Sequence, residues 1–183
     1  MLTRLVIEDA VRRALMEDAP TGDITAATTI PADETATAML SARENGVFSG
    51  AEVFTAAFHE VDPGIQVTMR IKDGERFTAG DTLATIHGNA RGMLTAERVA
   101  LNFTQRMSGI ATMTRTFVDA VDAAPSSHAR IADTRKTVPG LRPFDKYAVV
   151  CGGGRNHRYG LSDAVMVKDN HIAAMQAAGL DLT

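Results

Sequence analysis

The chain of 183 residues contains no tryptophan, two tyrosines and one cysteine, Cys151. The missing tryptophan bears only on how folding would be followed. A lone cysteine excludes an internal disulfide and suits a reducing compartment, so a cytoplasmic protein is expected. No apolar run approaches the roughly 20 residues needed to cross a bilayer, and no membrane role is expected. The first twenty residues, MLTRLVIEDAVRRALMEDAP, mix acids and arginines where an export signal needs an apolar stretch; no visible signal for export is expected. Positive charge is also short, with 19 Lys and Arg against 22 Asp and Glu, a net of −3. That balance argues against a nucleic-acid coat. With 45% hydrophobic and 22% charged residues, the composition is that of a globular protein and excludes a disordered tail or a collagen-like fibre.

The charge is unevenly spread. Arg135, Lys136, Arg142, Lys146, Arg155, Arg158 and Lys168 face only Asp145, Asp163 and Asp169, so the segment 135–169 carries +4 and the remainder −7. These cations are interleaved with glycines rather than spaced along a helix. The pattern points to a local anion site rather than a solvated charged face.

Hydrophobic spacing predicts a helix over residues 3–17, with Ile7, Ala10, Val11, Ala14 and Leu15 on one stripe and Thr3 as N-cap. Short strands are expected at 36–40 and 46–49 around a polar turn, and a helix at 51–61 stopped by Asp62–Pro63–Gly64. Ile65, Val67, Met69 and Ile71 alternate as in a half-buried strand; Asp73–Gly74 reads as a hairpin signal, and a further strand covers 83–86. A long helix is predicted from Leu94 to Ala123, with Val99, Phe103, Met107, Ile110, Phe117, Val118 and Val121 on its apolar face. Beyond it a strand at 130–133, a helix at 142–150, a buried strand at Ala164–Val167 and a helix at 169–178 give βαβ grammar, hence a parallel sheet or barrel. The methionines fall at apolar positions and read as core filler.

Three blocks fall at the C-terminal ends of the expected strands, where βα architectures bind ligands: 133–137, 152–158 and 168–171. Arginine meets a carboxylate or phosphate with a planar fork, and lysine acts as a movable point charge. Cations converging on one pocket repel one another unless an anion neutralises them, so the constellation suggests a polyanionic small molecule. Other readings stand beside it. Gly152–Gly154 could cradle a phosphate, although it lacks the P-loop lysine and serine and follows a helix. His157, Asp169 and His171 could ligate a metal, but their spacing matches no common zinc pattern. Cys151 is expected to be a small buried hydrophobe rather than a nucleophile, and His59, His87 and His128 to be surface or structural. Residues 65–88 resemble the turn-rich strands of biotinyl and lipoyl carrier domains, with Lys72 near a turn but without the methionines that flank a biotin-acceptor lysine.

The blocks GDIT (22–25), AER (96–98), SGIAT (108–112), DTRKTVPGLR (133–142), KYAVVCGGGRNHR (146–158) and MVKDNHI (166–172) occur in order along nearly the whole chain. Together they resemble the quinolinate phosphoribosyltransferase family. The resemblance implies an α/β fold: an N-terminal α/β domain of hammerhead-like, open-sandwich type (1–108) with a long linking helix, then the first part of an α/β barrel carrying the anion site (109–183). It implies transfer of phosphoribose from 5-phosphoribosyl-1-diphosphate to quinolinate with decarboxylation, giving nicotinate mononucleotide, diphosphate and CO2, a step toward NAD. Mg2+ would accompany the donor's diphosphate. By motif, Arg135 would bind a quinolinate carboxylate and His157 with Arg158 would hold the dicarboxylate. Lys136 and Lys168, the expected catalytic residues, would face the donor and diphosphate. Arg98 would reach the site of a neighbouring subunit in a homodimer or higher assembly with shared active sites.

A complete βα barrel takes about 250 residues, so an incomplete barrel is expected, without the family's later strands, acidic residues and donor-phosphate loops. The alternatives are a paralogue of the same fold associated with molybdenum transport, or a non-catalytic fragment acting in binding or dimerisation.

Overall fold

The computed structural model of the chain describes residues 2–124 and 128–180; the outer ends of the two expected domains, Met1 and Thr183, lie outside them. Helix α1 (Arg4–Asp18) and the short α2 (Ile24–Thr29) precede strand β1 (Thr35–Ser41). The α1 stripe buries Ile7 and Val11. Thr3 sits at its N-cap in extended conformation but makes no side-chain capping bond. In the GDIT block, Asp23 Oδ1 accepts from Ala26 N at 2.9 Å, so that motif here starts α2.

Strands β2 (Gly46–Val47), β3 (Gln66–Met69), β4 (Arg76–Phe77) and β5 (Thr82–Asn89) follow, with α3 (Ala51–Val61) between β2 and β3. They form a three-stranded antiparallel sheet in the order β1-β5-β3 and a separate β2-β4 ladder. Asp73–Gly74 therefore does not close a β3–β4 hairpin. Asp73 Oδ1 instead accepts from Gly50 N (2.8 Å) and Ala51 N (3.0 Å), capping α3 from a distance. Gly50, at φ 115°, has no side chain with which to cap its own helix, and the remote carboxylate takes that role.

Helix α4 (Ala90–Asp122) starts four residues earlier than its apolar spacing suggests. Asn89 Oδ1 accepts from Gly92 N and sets the start. Ala96, Ala100, Ala111 and Met107 on α4 are fully buried. The small side chains let α3 and β5 approach closely. One apolar cluster joins Val11, Val53, Phe54, Ala57, Phe58, Ile86, Val99, Phe103 and Met107 to Phe144 and Ala148 of α5 (Arg142–Cys151). Phe103 and Phe144 pack with ring centroids 5.1 Å apart. A second, small cluster of Phe48, Ile71 and Leu83 lies under the β2-β4 ladder.

The later part of α4 departs from expectation. Met113 and Phe117 are exposed, as are Met16 and Met39, so the methionines are not uniformly core. Met113 and Phe117 line a hollow of about 530 Å3 with Ile110, Ile131, Ala132 and Val149. The expected strand at 130–133 is a single parallel bridge, Ala132 to Arg155. Residues 164–167, expected as a buried strand, form none; Val165 is 92% exposed. A β-branched apolar run becomes a central strand only with partners on both edges, and among the described residues no strand pairs with it. Helix α6 (Asp169–Ala177) follows and buries no residue.

Candidate anion site

The site residues hang on loops that α5 holds together. Pro143 in the first turn of α5 suits a helix start. Three side chains of that helix reach outward to different loops. Arg142 Nε donates to Thr137 Oγ1 (3.1 Å), and its terminal nitrogens reach Arg135 O (3.4 Å) and Tyr159 O (3.3 Å). Asp145 accepts both nitrogens of a fork from Arg106 of α4 at 2.8 Å each, and its Oδ2 also takes Val138 N at 3.4 Å. The Asp145 carboxylate holds the Arg106 guanidinium above its ordinary range. Lys146 Nζ donates to Asp133 Oδ1 at 2.5 Å and to His157 O at 3.0 Å. The Lys146 and Asp133 side chains are only 3% and 6% exposed.

This corrects the charge count. Arg142 and Lys146, grouped above with the anion-binding cations, are engaged as structural links. Lys146 forms a neutral buried pair, and Arg142 clamps two backbone carbonyls. Of the seven cations, the side chains of Arg135, Lys136, Arg155 and Lys168 have no hydrogen bond or ion pair among the described residues. Arg135 is half-buried, and its Nε is enclosed without any partner.

The glycine run also has a packing explanation. A Cβ on Gly152 would fall 2.6 Å from Thr114 Cβ, and one on Gly154 would fall 2.7 Å from Val149 Cγ1 and 2.9 Å from Thr114 Cγ2. The residues after α5 therefore lie flush against α4 in a space no side chain can share. Close helix approach accounts for both glycines without a phosphate.

The expected site residues are placed as follows. Arg135 and Lys136 share the loop after the 131–133 segment, where Lys136 N donates to Thr134 Oγ1 at 3.0 Å. His157 N donates to Asp133 Oδ1 at 2.8 Å, which ties the second block to the first. The imidazole accepts from Arg158 N through Nδ1 at 2.7 Å, leaving Nε2 to carry the proton of the neutral ring. Arg158 turns its terminal nitrogens to Ala164 O (2.8 Å) and Met166 Sδ (3.4 Å). Lys168 is the N-cap residue of α6, and its backbone N donates to His171 Nδ1 at 3.2 Å. Its side chain is exposed and, among the described residues, makes no hydrogen bond or ion pair to either of the other blocks. Arg98 projects from α4 into solvent and makes no bond to these loops. The structure thus brings Arg135, Lys136, His157 and Arg158 into one linked unit and leaves Lys168 and Arg98 apart from it.

Other candidates recede. Among the described residues no group of three or more His, Cys, Asp or Glu side chains could hold a metal. Burial raises the Cys151 thiol above its ordinary pKa, the opposite of an activated nucleophile. His59 Nε2 bonds Ile65 O (3.0 Å) and His87 Nδ1 bonds Thr37 Oγ1 (2.9 Å), both structural.

Sequence reasoning missed two kinds of residue. Asp133 stands inside a motif block, and nothing local to it signals that its carboxylate is paired with Lys146. Ser108 and Thr112 of SGIAT accept from Ser49 N (3.1 Å) and Val47 N (2.8 Å), docking the β2 region onto α4. Nothing in the sequence signalled that contact.

Comparison with known proteins is decisive. The family description "Quinolinate phosphoribosyl transferase, N-terminal domain" matches residues 23–108, and the corresponding C-terminal domain matches 110–179. The chain belongs to the quinolinate phosphoribosyl transferase family. Within that family it is 49% identical over 170 residues to the nicotinate-nucleotide pyrophosphorylase (carboxylating) of Mycobacterium leprae, covering 91% of this chain and 59% of the relative. It is 45% identical over 174 residues to a mitochondrial quinolinate phosphoribosyltransferase of Nicotiana tabacum, covering 94% of this chain and 48% of the relative. The solved structure of NadC from Streptococcus pyogenes superposes with a TM-score of 0.90 at 44% identity, over 96% of this chain and 61% of that one. The chain thus spans about half to three-fifths of the length of these family members. The fold is the family's N-terminal sheet domain with part of an α/β barrel. Among the described residues no helix is long and apolar enough to cross a membrane.

Proposed function

We propose that this chain forms the acceptor side of a quinolinate phosphoribosyltransferase, binding the pyridine dicarboxylate at the loops 133–137 and 155–158. The observation that carries this reading is the Arg135 guanidinium, whose Nε is enclosed without a partner. The half-buried guanidinium has no protein partner, so its terminal nitrogens are free to meet a carboxylate with charge-assisted bonds. Lys136 and Arg155, on the same two loops, add unneutralised positive charge.

In the reaction this implies, the quinolinate ring nitrogen bonds to the ribose carbon as the bond to diphosphate breaks, its electrons leaving with the diphosphate. The carboxyl beside the quaternised nitrogen departs as CO2, and the ring carbon takes up a proton. Arg135, His157 and Arg158 hold the dicarboxylate in this scheme, and Lys136 and Lys168 face the donor and its leaving group, where fixed cations favour separation of charge. The described residues offer no ready-made metal cage, so Mg2+ enters this reading only as a companion of the donor's diphosphate. Arg98 serves the site of a second copy in a homodimer. A reducing, cytoplasmic setting suits the single, half-buried thiol.

Calorimetric titration with quinolinate, with nicotinate as control, tests the reading. Binding of quinolinate alone, abolished in Arg135→Ala and Arg158→Ala, supports it. A folded chain that binds neither ligand overturns it. Mixing Arg98→Ala with Arg135→Ala tests the shared site: partial return of binding supports it, and no return removes Arg98 from the site.

A further inference from the structure

We propose that Asp133 and Lys146 are the positioning pair of the acceptor site, acting through the backbone of His157. The inference rests on the acceptor reading above and adds residues that touch no substrate. The two buried side chains grip both polar backbone groups of one exposed loop residue. His157 N–H donates to Asp133 Oδ1 at 2.8 Å, and Lys146 Nζ donates to His157 C=O at 3.0 Å. With its amide turned to donate, Asn156 Nδ2 reaches Asp133 Oδ2 at 2.6 Å and Lys146 O at 2.9 Å. Every acceptor on the Asp133 carboxylate thus faces the loop or its paired lysine. The chain leaves His157 from a fixed carbonyl into Arg158, whose N–H closes on the imidazole. The directions of two dicarboxylate-binding side chains are therefore set from beneath.

Stability alone is a weak reason for such a pair. Two charges lose their hydration on burial, and an apolar pair of similar volume often holds a helix to its neighbour as well or better. An apolar pair cannot grip a peptide N–H and C=O together. The pair is also neutral, so it adds little net attraction for a dianion; its effect on binding is geometric.

The test replaces the pair with apolar residues, Asp133→Leu with Lys146→Met, in the full chain. Three quantities are read: thermal midpoint, amide exchange at His157, and quinolinate affinity. We expect a retained midpoint, faster exchange at His157, and affinity weaker by about tenfold to a hundredfold, the scale of a small misplacement of binding groups. A folded double variant with unchanged His157 exchange, or with wild-type affinity, overturns the proposal. If the double variant does not fold, Asn156→Ala decides. Its side chain is on the surface, so folding should survive; a measurable loss of affinity supports the proposal and an unchanged affinity overturns it. Wild-type chain that binds no quinolinate overturns the acceptor reading, and His157 exchange alone then decides whether the pair grips the loop.

Discussion

The two parts of the molecule are held by different means. Residues up to the middle of α4, with α5, share one apolar cluster in which Val11, Val53, Ala57, Ala100 and Met107 are fully enclosed. The loops at 131–141 and 152–160 are fastened to α5 and to each other largely by charged side chains to backbone: Arg142 to two carbonyls, Asp145 to Val138 N, and Lys146 and Asp133 to His157. Apolar burial is non-directional and fixes where elements sit. Hydrogen bonds to charged groups are directional and fix where loops point. The anion site belongs to the second kind.

The sharpest way to break this contrast is Phe144→Ala. Phe144 is 1% exposed and belongs to the shared cluster although it lies on α5. Its truncation should cost about 3–5 kcal/mol in denaturant unfolding, as Phe54→Ala should. A much smaller loss would separate α5 from the main core. Gly154→Ala comes next, at about 1–3 kcal/mol from overpacking. The readout is the same unfolding curve, and no loss would show that the α4 contact gives way freely.

Tyr147→Phe removes the bond from Tyr147 Oη to Asp73 Oδ2 at 2.7 Å, the polar tie between α5 and the cap of α3. It should cost about 1 kcal/mol. Burial and the Asp73 carboxylate hold this phenol above its ordinary pKa, so spectrophotometric titration should find one of the two tyrosines resistant to alkali until the chain unfolds. Asp163 gives the smallest effect. The N–H groups of Gly160 and Tyr159 hold its carboxyl below the ordinary range. The contribution is therefore present above the unfolded value of about 3.9 and is lost as pH falls through the lower folded value. Asp163→Asn should leave stability at pH 7 slightly lower and flatten the acid limb of the curve; an unchanged acid limb would remove that turn from the account.

Where one period dominated, the sequence was legible. The α3 boundaries follow from the apolar spacing and the Asp62–Pro63–Gly64 stop, and β5 from its apolar run. Pairing was less legible. Nothing local to Asp73–Gly74 says that β4 joins β2 while β3 joins β5, because register and partner are properties of distant residues. The run at 164–167 has the composition of a buried strand, yet composition supplies no neighbours. In the candidate site, the motif blocks named Arg135, Lys136, His157 and Arg158 by position, and the structure places them on loops tied together through Asp133. The division of the cations between ligand-facing and structural could not be read there, since a lysine looks the same in sequence whether an aspartate sits against it or not.

Helix α4 runs unbroken for 33 residues, about 50 Å at 1.5 Å per residue, through both stretches that match separate family domains. Its first half is packed into the main core, and its second half carries the surface on which the glycine run and the 131–133 segment rest. A continuous hydrogen-bonded rod leaves no hinge between the two stretches. They should therefore unfold as one cooperative unit, with amide protection running from Val99 through Thr114 without a step.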